Sequence, residues 1–521
     1  MRLADEAADT PTNGAKPELL KGLGLLDATM IVTGSMIGSA IYIVSADIAR
    51  QVSSPGLLLI VWAVAGSMTI IGALSYGELA SAMPAAGGQY VYLRESLGPL
   101  WAFLYGWAML LVIQTATIAA VAIGFAKFTG VLFPWVSSAH WIWKIGTLAQ
   151  HDFWFGRVGP YSIGVSTENF VGILSIALLT WLNTRGLRIG ALVQNVFTVT
   201  KLAALAGLIG LGTLLPTIAA RHTNFSSFWG SASLWARHPY QVGTEGTVWI
   251  GTVTLIGVAM VGALFAADAW NNVTFTAAEV KNPRRNLPLS LALGTGTVIL
   301  IYLLANIAYL NVLPFTGTPD GATVLQRGIQ FAAGDRVATA AAEVLLGPRG
   351  ATLMAIAIMI STFGCNNGLI LAGARVYYAM ANDGLFFQMV KRLNKYHVPG
   401  VALVIQGIWA SVLCLSGTYS QLLDFLIFTV LIFYILTFVG LFVLRFKRPD
   451  LNRPYRAFGY PVLPIFYLAA AVFIEMQLLR YKPQYTWPGL IIVLLGVPVY
   501  WLWRGRGTSR VRRATGVGDC E

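Results

Sequence analysis

Charge is what this sequence has least of. Only 11% of its 521 residues are Asp, Glu, Lys or Arg, and 56% are hydrophobic, whereas about 25% charged residues is usual for a soluble globular protein. A soluble chain of this length would divide into several domains, but no polar linker interrupts the apolar runs between Leu25 and Trp503 for long. Histidine is scarce: His140, His151, His222, His238 and His397 fall in predicted loops, with no nucleophile or metal-ligand cluster beside them. That argues against an enzyme, and no cofactor or metal is expected. Cysteine is limited to Cys365, Cys414 and Cys520, which lack metal-site spacing and read as free thiols. The first 24 residues are polar, contain Pro11 and Pro17, and lack the apolar core of a cleaved signal. They read as a cytoplasmic tail, followed by an uncleaved first span.

What is present is long apolar runs. A bilayer span needs about 20 mostly apolar residues, and twelve can be placed, at roughly 26–48, 56–82, 99–132, 167–183, 190–216, 251–278, 288–312, 350–380, 400–416, 419–445, 461–479 and 486–504. The expectation is an all-α integral membrane protein with one transporter domain over residues 25–505 and a short tail at 506–521. The net charge of +13 follows from topology and requires no nucleic acid. With a cytoplasmic N-terminus, roughly 23 Lys and Arg fall on the cytoplasmic side, Arg94, Arg375, Lys391 and Arg445 among them, against roughly 11 outside. This bias places both termini in the cytoplasm of a cell carrying the protein in its inner or plasma membrane.

Two runs are interrupted at mid-depth. The first contains Gly34-Ser35-Met36-Ile37-Gly38-Ser39-Ala40, and the sixth contains Phe265-Ala266-Ala267-Asp268-Ala269-Trp270-Asn271. Lying five spans apart, they run in opposite directions, the hydropathy pattern of an inverted-repeat transporter. The repeats would cover about 25–216 and 251–445, with extra helices at about 461–504. An unwound helix inside a bilayer survives only where its freed backbone groups find partners or line a cavity. Amides near Gly38, Ser39 and Ala40 would suit a carboxylate at the positive end of a half-helix. Carbonyls near Ile37 and around Phe265–Ala267 would suit an ammonium. Together they form a receptor for a zwitterion, although small residues in such runs also serve close helix packing. Asp268 is a costly mid-span carboxylate and by default functional, the alternative being a structural counter-ion. Lys201 lies about three turns into the fifth span, too deep for easy snorkelling, and reads as a buried ammonium near the first break rather than a lipid-edge lysine. Phe265 and Trp270 are gate candidates, or packing residues.

These residues carry a resemblance. Gly34-Ser35-Met36-Ile37-Gly38-Ser39-Ala40-Ile41-Tyr42 resembles the first-span signature of the L-type amino acid transporter family, within the amino acid–polyamine–organocation superfamily. Ser75-Tyr76-Gly77-Glu78-Leu79 with Pro84–Tyr92, the sixth-span residues with Glu279–Pro288, and Ser361–Gly368 with Arg375 are similar to further motifs of that family, in order. The resemblance implies the leucine-transporter fold, five plus five inverted repeats and two added helices. It also implies that backbone at Ser35, Gly38, Ser39 and Ala40 holds the substrate carboxylate, while Ile37, Phe265 and Ala266 meet its amino group and Phe265 closes as a gate. Lys201 matches the lysine whose ammonium replaces a sodium ion in sodium-coupled relatives, so Lys201 and Asp268 are the candidates for coupling. The function implied is sodium-independent exchange of a free amino acid by alternating access. The alternatives are proton-coupled symport of an amino acid or polyamine, and a membrane sensor that binds without transport. The heterodimeric animal members use a cysteine after the third span; residues 133–166 contain none, which implies a stand-alone carrier of bacterial type with no disulfide-linked subunit. Ala40 and Ala269 stand where the family pattern has glycine.

Overall fold

The protein is described by a computed structural model over residues 19–515, except 53, 149–150, 154–155, 159–160, 231–232, 234, 243–245 and 416–418. In a bilayer core backbone polar groups must pair within their own segment, and the apolar runs accordingly fold as helices. The first comprises α1 (Leu25–Met36), a 3-10 turn at Ala40–Tyr42 and α2 (Val44–Val52). After α3 (Pro55–Ala82) and α4 (Gln89–Ser96), α5 (Pro99–Ala108) passes through a π-helical stretch, Met109–Ile113, into α6 (Gln114–Leu132). Next come α7 (Thr167–Asn183), α8 (Leu187–Leu214) and the short α9 (Ile218–Ser226). The sixth run is α10 (Thr252–Ala266) and α11 (Asn272–Phe275), followed by α12 (Pro283–Val312), α13 (Val324–Arg327) and α14 (Val337–Leu346). The remainder is α15 (Pro348–Asn382), α16 (Gly400–Leu413), α17 (Tyr419–Lys447), α18 (Val462–Tyr481) and α19 (Pro483–Thr515). Among the described residues, eight helices are long and apolar enough to cross a membrane, and α1, α10, α14 and α16 are shorter apolar helices. The chain is a multi-pass membrane protein.

Local sequence chemistry sets several helix starts. Pro55, Pro99, Pro283 and Pro348 each occupy the first helical turn, where a missing N–H costs nothing and the fixed φ suits the helix. Packing follows from small residues. α12 lies along α3 and α15 along α6 and α8, with α1 between α8, α12 and α15. At Gly66 of α3 a Cβ would sit 2.4 Å from Ile299 of α12, and at Gly294 of α12 one would sit 2.6 Å from Val32 of α1. Such close helix approach replaces the hydrophobic drive that lipid cannot supply.

The apolar runs are all helical, as expected, and three two-stranded antiparallel sheets lie in the connections between them. β1 (Trp141–Leu148) pairs with β4 (Tyr161–Ser166), β2 (His151–Phe153) with β3 (Gly156–Val158), and β5 (Arg237–Val242) with β6 (Gly246–Gly251). These strands are rich in aromatic and β-branched residues, which fit a pleated surface, and lie outside the apolar runs. Arg375, counted above on the cytoplasmic side, lies within α15 at 1% exposure and pairs with Glu279. Cys365 and Cys414 are buried free thiols; Cys520 lies outside the described residues, as do the residues of the N-terminal tail up to 18.

Candidate functional site

The first break begins where α1 ends at Met36. Ile37 leaves the helix with ψ 87°, and Ser39 starts the 3-10 turn. Three neighbours take up the released carbonyls. Lys201 of α8, fully buried, donates from Nζ to Gly34 O at 2.8 Å and to Ile37 O at 2.7 Å. Ser361 Oγ of α15 donates to Ile37 O at 3.2 Å, and Cys365 Sγ to Ser35 O at 3.0 Å. Both lone pairs of the Ile37 carbonyl are therefore engaged by the protein itself, so the ammonium it meets in this conformation is that of Lys201. Gly38 lets α15 come close, since a Cβ there would lie 3.1 Å from the Cys365 sulfur.

The second break follows Ala266, the last residue of α10. Asp268 N donates back to Phe265 O at 3.2 Å, and Ala269 turns the chain with φ 66°. Alanine in this left-handed region is disfavoured by roughly 1 kcal/mol relative to glycine, so this position, where the family pattern has glycine, carries backbone strain. Ala40 takes an ordinary 3-10 conformation instead. Ala269→Gly is expected to relieve the strain and raise the melting temperature of purified protein; a lower melting temperature would show that the methyl group is needed for packing.

Tyr302 of α12 links the two breaks. Its hydroxyl lies 3.0 Å from Met36 O and 3.0 Å from Ala266 O, the final residues of α1 and α10. One hydroxyl hydrogen shared between two carbonyls ties both helix ends to one side chain. Tyr302 sits in an uninterrupted apolar run, and nothing in the sequence marks it.

Asp268 lies beside a narrow cavity of about 20 Å³, lined also by Tyr105, Gln114, Asn271, Asn272, Phe433 and Tyr434. Tyr434 OH donates to Asp268 Oδ1 at 2.6 Å. Gln89 Nε2 donates to Phe433 O and Thr437 Oγ1 at 3.1 and 3.0 Å, and Gln89 Oε1 accepts from Asn271 Nδ2 at 2.9 Å, which makes part of the wall rigid. On that wall Tyr105 OH and Asn272 Nδ2 are buried without a partner, and such groups call for a ligand or water. The volume is enough for about one water, so an amino acid enters only if the surrounding helices separate. Trp270 is wedged between Tyr76, in edge contact at 4.7 Å, and Tyr434, stacked at 5.4 Å, which makes it a packing residue. Of the candidate substrate-binding residues named from sequence, only Asp268 lines this cavity, with Ala269 beside it. Ser35, Ile37, Gly38, Ser39, Ala40 and Phe265 are buried around the breaks, with Ala266 held through Tyr302. Ser35 Oγ has no partner. Among the described residues there is no group of His, Cys, Asp and Glu able to hold a metal ion.

Multiple membrane helices, two of them broken where a buried ammonium and a buried carboxylate sit, define a polytopic membrane transporter. The amino acid permease family model matches residues 23–500, and the chain belongs to that family of amino acid transporters. It is 27% identical over 510 residues to the human b(0,+)-type amino acid transporter 1, covering 96% of this chain and 91% of that protein. It is 29% identical over 500 residues to the human large neutral amino acids transporter small subunit 2, covering 96% of this chain and 83% of that protein. The rat b(0,+)-type amino acid transporter 1 is likewise 29% identical, over 505 residues.

Proposed function

We propose that the protein exchanges free amino acids across a cell membrane by alternating access, without sodium. The observation that carries this reading is the pair of buried breaks joined by Tyr302, with the Lys201 ammonium between the Gly34 and Ile37 carbonyls. A fixed cation at those carbonyls repels a metal ion from the same place. The narrowness of the cavity at Asp268 supports a cycle in which substrate opens and then recloses the breaks. In this reading the chain has the leucine-transporter arrangement, with twelve spans, five plus five inverted repeats, two added helices and cytoplasmic termini. Amides at Ser35, Gly38, Ser39 and Ala40 receive the carboxylate, carbonyls near Ile37 and Ala266 receive the amino group once the breaks open, and Phe265 closes over the substrate. The cysteine-free stretch 133–166 supports function without a disulfide-linked subunit.

The test is uptake into proteoliposomes across a broad amino acid panel. Saturable uptake that requires internal amino acid and is unchanged when choline replaces sodium is expected; no saturable flux for any amino acid defeats the proposal. Proton-coupled symport would instead show uptake into empty vesicles driven by an imposed pH gradient.

Asp268 is the one carboxylate among the described residues lining the cavity, which supports a role in reading the substrate side chain. Asp268→Asn keeps an acceptor for Tyr434 and removes the charge. It is expected to lower arginine and lysine uptake relative to alanine uptake by about tenfold, the equivalent of one lost charged hydrogen bond of about 1.5 kcal/mol or more. An unchanged ratio would leave Asp268 a structural role only.

A further inference from the structure

A second cavity, of about 130 Å³, lies at the far end of α6 and the start of α15. Arg327, Arg336, Thr339 and Glu343 supply its polar wall, with Val131 of α6 and Ala351 of α15. Arg336, Thr339, Ala340 and Glu343 follow the spacing of a single helix face, so α14 and its N-cap turn these groups the same way. Arg336 stands at the N-cap of α14, where the helix end is already electropositive. A cation placed there is unfavourable alone and favours an anion between the two.

The side-chain partners agree with that need. Arg327 Nε donates to Gly321 O at 2.7 Å, and Arg336 donates to Ala333 O at 3.1 Å and Lys127 O at 3.5 Å. Backbone carbonyls thus position both guanidiniums and leave other N–H groups of each fork available. The neighbouring acid Asp335 is taken by Arg50, at 2.7 Å. Burial pulls the Arg336 guanidinium below its usual range, and Glu168 offsets this only in part. The Thr339 hydroxyl has no hydrogen-bond partner although the residue is 7% exposed. Buried polar atoms without partners are rare, and this one belongs to a residue that lines the cavity. Glu343, one turn beyond Thr339, is the only carboxylate among the described residues of the wall.

We propose that this cavity is a second binding site for a free α-amino acid, its carboxylate held by Arg327, Arg336 and the Thr339 hydroxyl and its ammonium by Glu343. The two charges of a zwitterion sit on one carbon; Thr339 lies one helical turn from Glu343, a rise of about 6 Å, and Arg336 about two turns from it, a rise of about 10 Å that the long arginine side chain can shorten. Arginine suits the carboxylate through its planar fork. The site is distinct from the broken helices, so its occupancy does not depend on transport.

Equilibrium binding of tritiated L-leucine, L-arginine and L-glutamate to the full-length protein in nanodiscs tests this, with proteoliposome flux measured in parallel. Saturation at two molecules per protein is expected for at least one of these probes, falling to one in Thr339→Val/Glu343→Gln. Sodium acetate should displace only the molecule lost in that variant. Arg327→Gln, in the connection before α14, provides a second variant in case the first fails to fold, and should weaken the same molecule at least tenfold. Saturation at one or none in the wild-type protein, or wild-type stoichiometry with unchanged affinity for both molecules in the folded variants, overturns the second site. Flux failing in the wild type would count against the transport reading instead.

Discussion

Lys201→Ala is expected to reduce amino acid flux in proteoliposomes by at least about tenfold while the protein remains folded. The ammonium makes two charge-assisted hydrogen bonds to the unwound end of α1, each worth about 1.5–3 kcal/mol. Without them the Gly34 carbonyl loses its side-chain donor, and Ile37 O keeps only Ser361. The break must then close back into helix or find water, and either shift moves Gly38, Ser39 and Ala40 by an amount that misplaces a carboxylate. Lys201→Met, which preserves the stem, should behave as the alanine does, separating charge from packing. Full activity with unchanged affinity in either variant removes Lys201 from the mechanism. Residual flux that becomes sodium-dependent would strengthen it, because the cation would then be replaced by a metal ion at the same carbonyls.

The second large effect is on stability. Arg375 donates to Glu279 through Nε at 3.0 Å and Nη2 at 2.9 Å, both side chains being 1% exposed. Glu279 also accepts at its carbonyl from Gly22 and Leu23 N, each at 3.0 Å, while Lys281 N donates to Leu23 O at 2.8 Å. The strand-like segment before α1 is thereby laced to the segment after α11, and Arg375 fixes the pair to α15. Removing one partner leaves an unpaired buried charge, at about 3–5 kcal/mol. Arg375→Met and Glu279→Met are each expected to lose most of the monodisperse protein on size-exclusion chromatography, and the double variant to recover it. Because the pair joins the ends of both broken helices to α15, the recovered double variant should still show altered flux. Single variants that keep wild-type melting temperatures would mean that water already reaches the pair.

How much of the site was legible depends on how local its signals are. Asp268 stands out because a carboxylate in an apolar run is conspicuous wherever it folds, and Lys201 for the same reason. The breaks themselves announce their place through Gly34, Gly38 and the small residues before Trp270. Tyr302, Tyr105 and Asn272 carry no such mark: each sits among apolar or ordinary helical residues, and its part depends on a neighbour more than thirty positions away or on the shape of a cavity. Arg375 is legible only in part: its charge reads as cytoplasmic-side topology, and only the fold brings Glu279 to it as a buried partner.

The apolar runs and the paucity of charge determined by themselves that this chain folds as membrane helices, because a bilayer admits no unpaired backbone and few ions. They also located two helix interruptions, since glycine and a buried carboxylate are unfavourable there without a purpose. Only the tertiary structure decided which groups meet those interruptions. Carbonyls at Gly34 and Ile37 take Lys201 from α8, those at Met36 and Ala266 share Tyr302 from α12, and Ala269 turns through φ 66° where glycine would have done so without strain. Those pairings join segments remote in the chain, and hydropathy, which is summed over neighbours in sequence, carries no record of them.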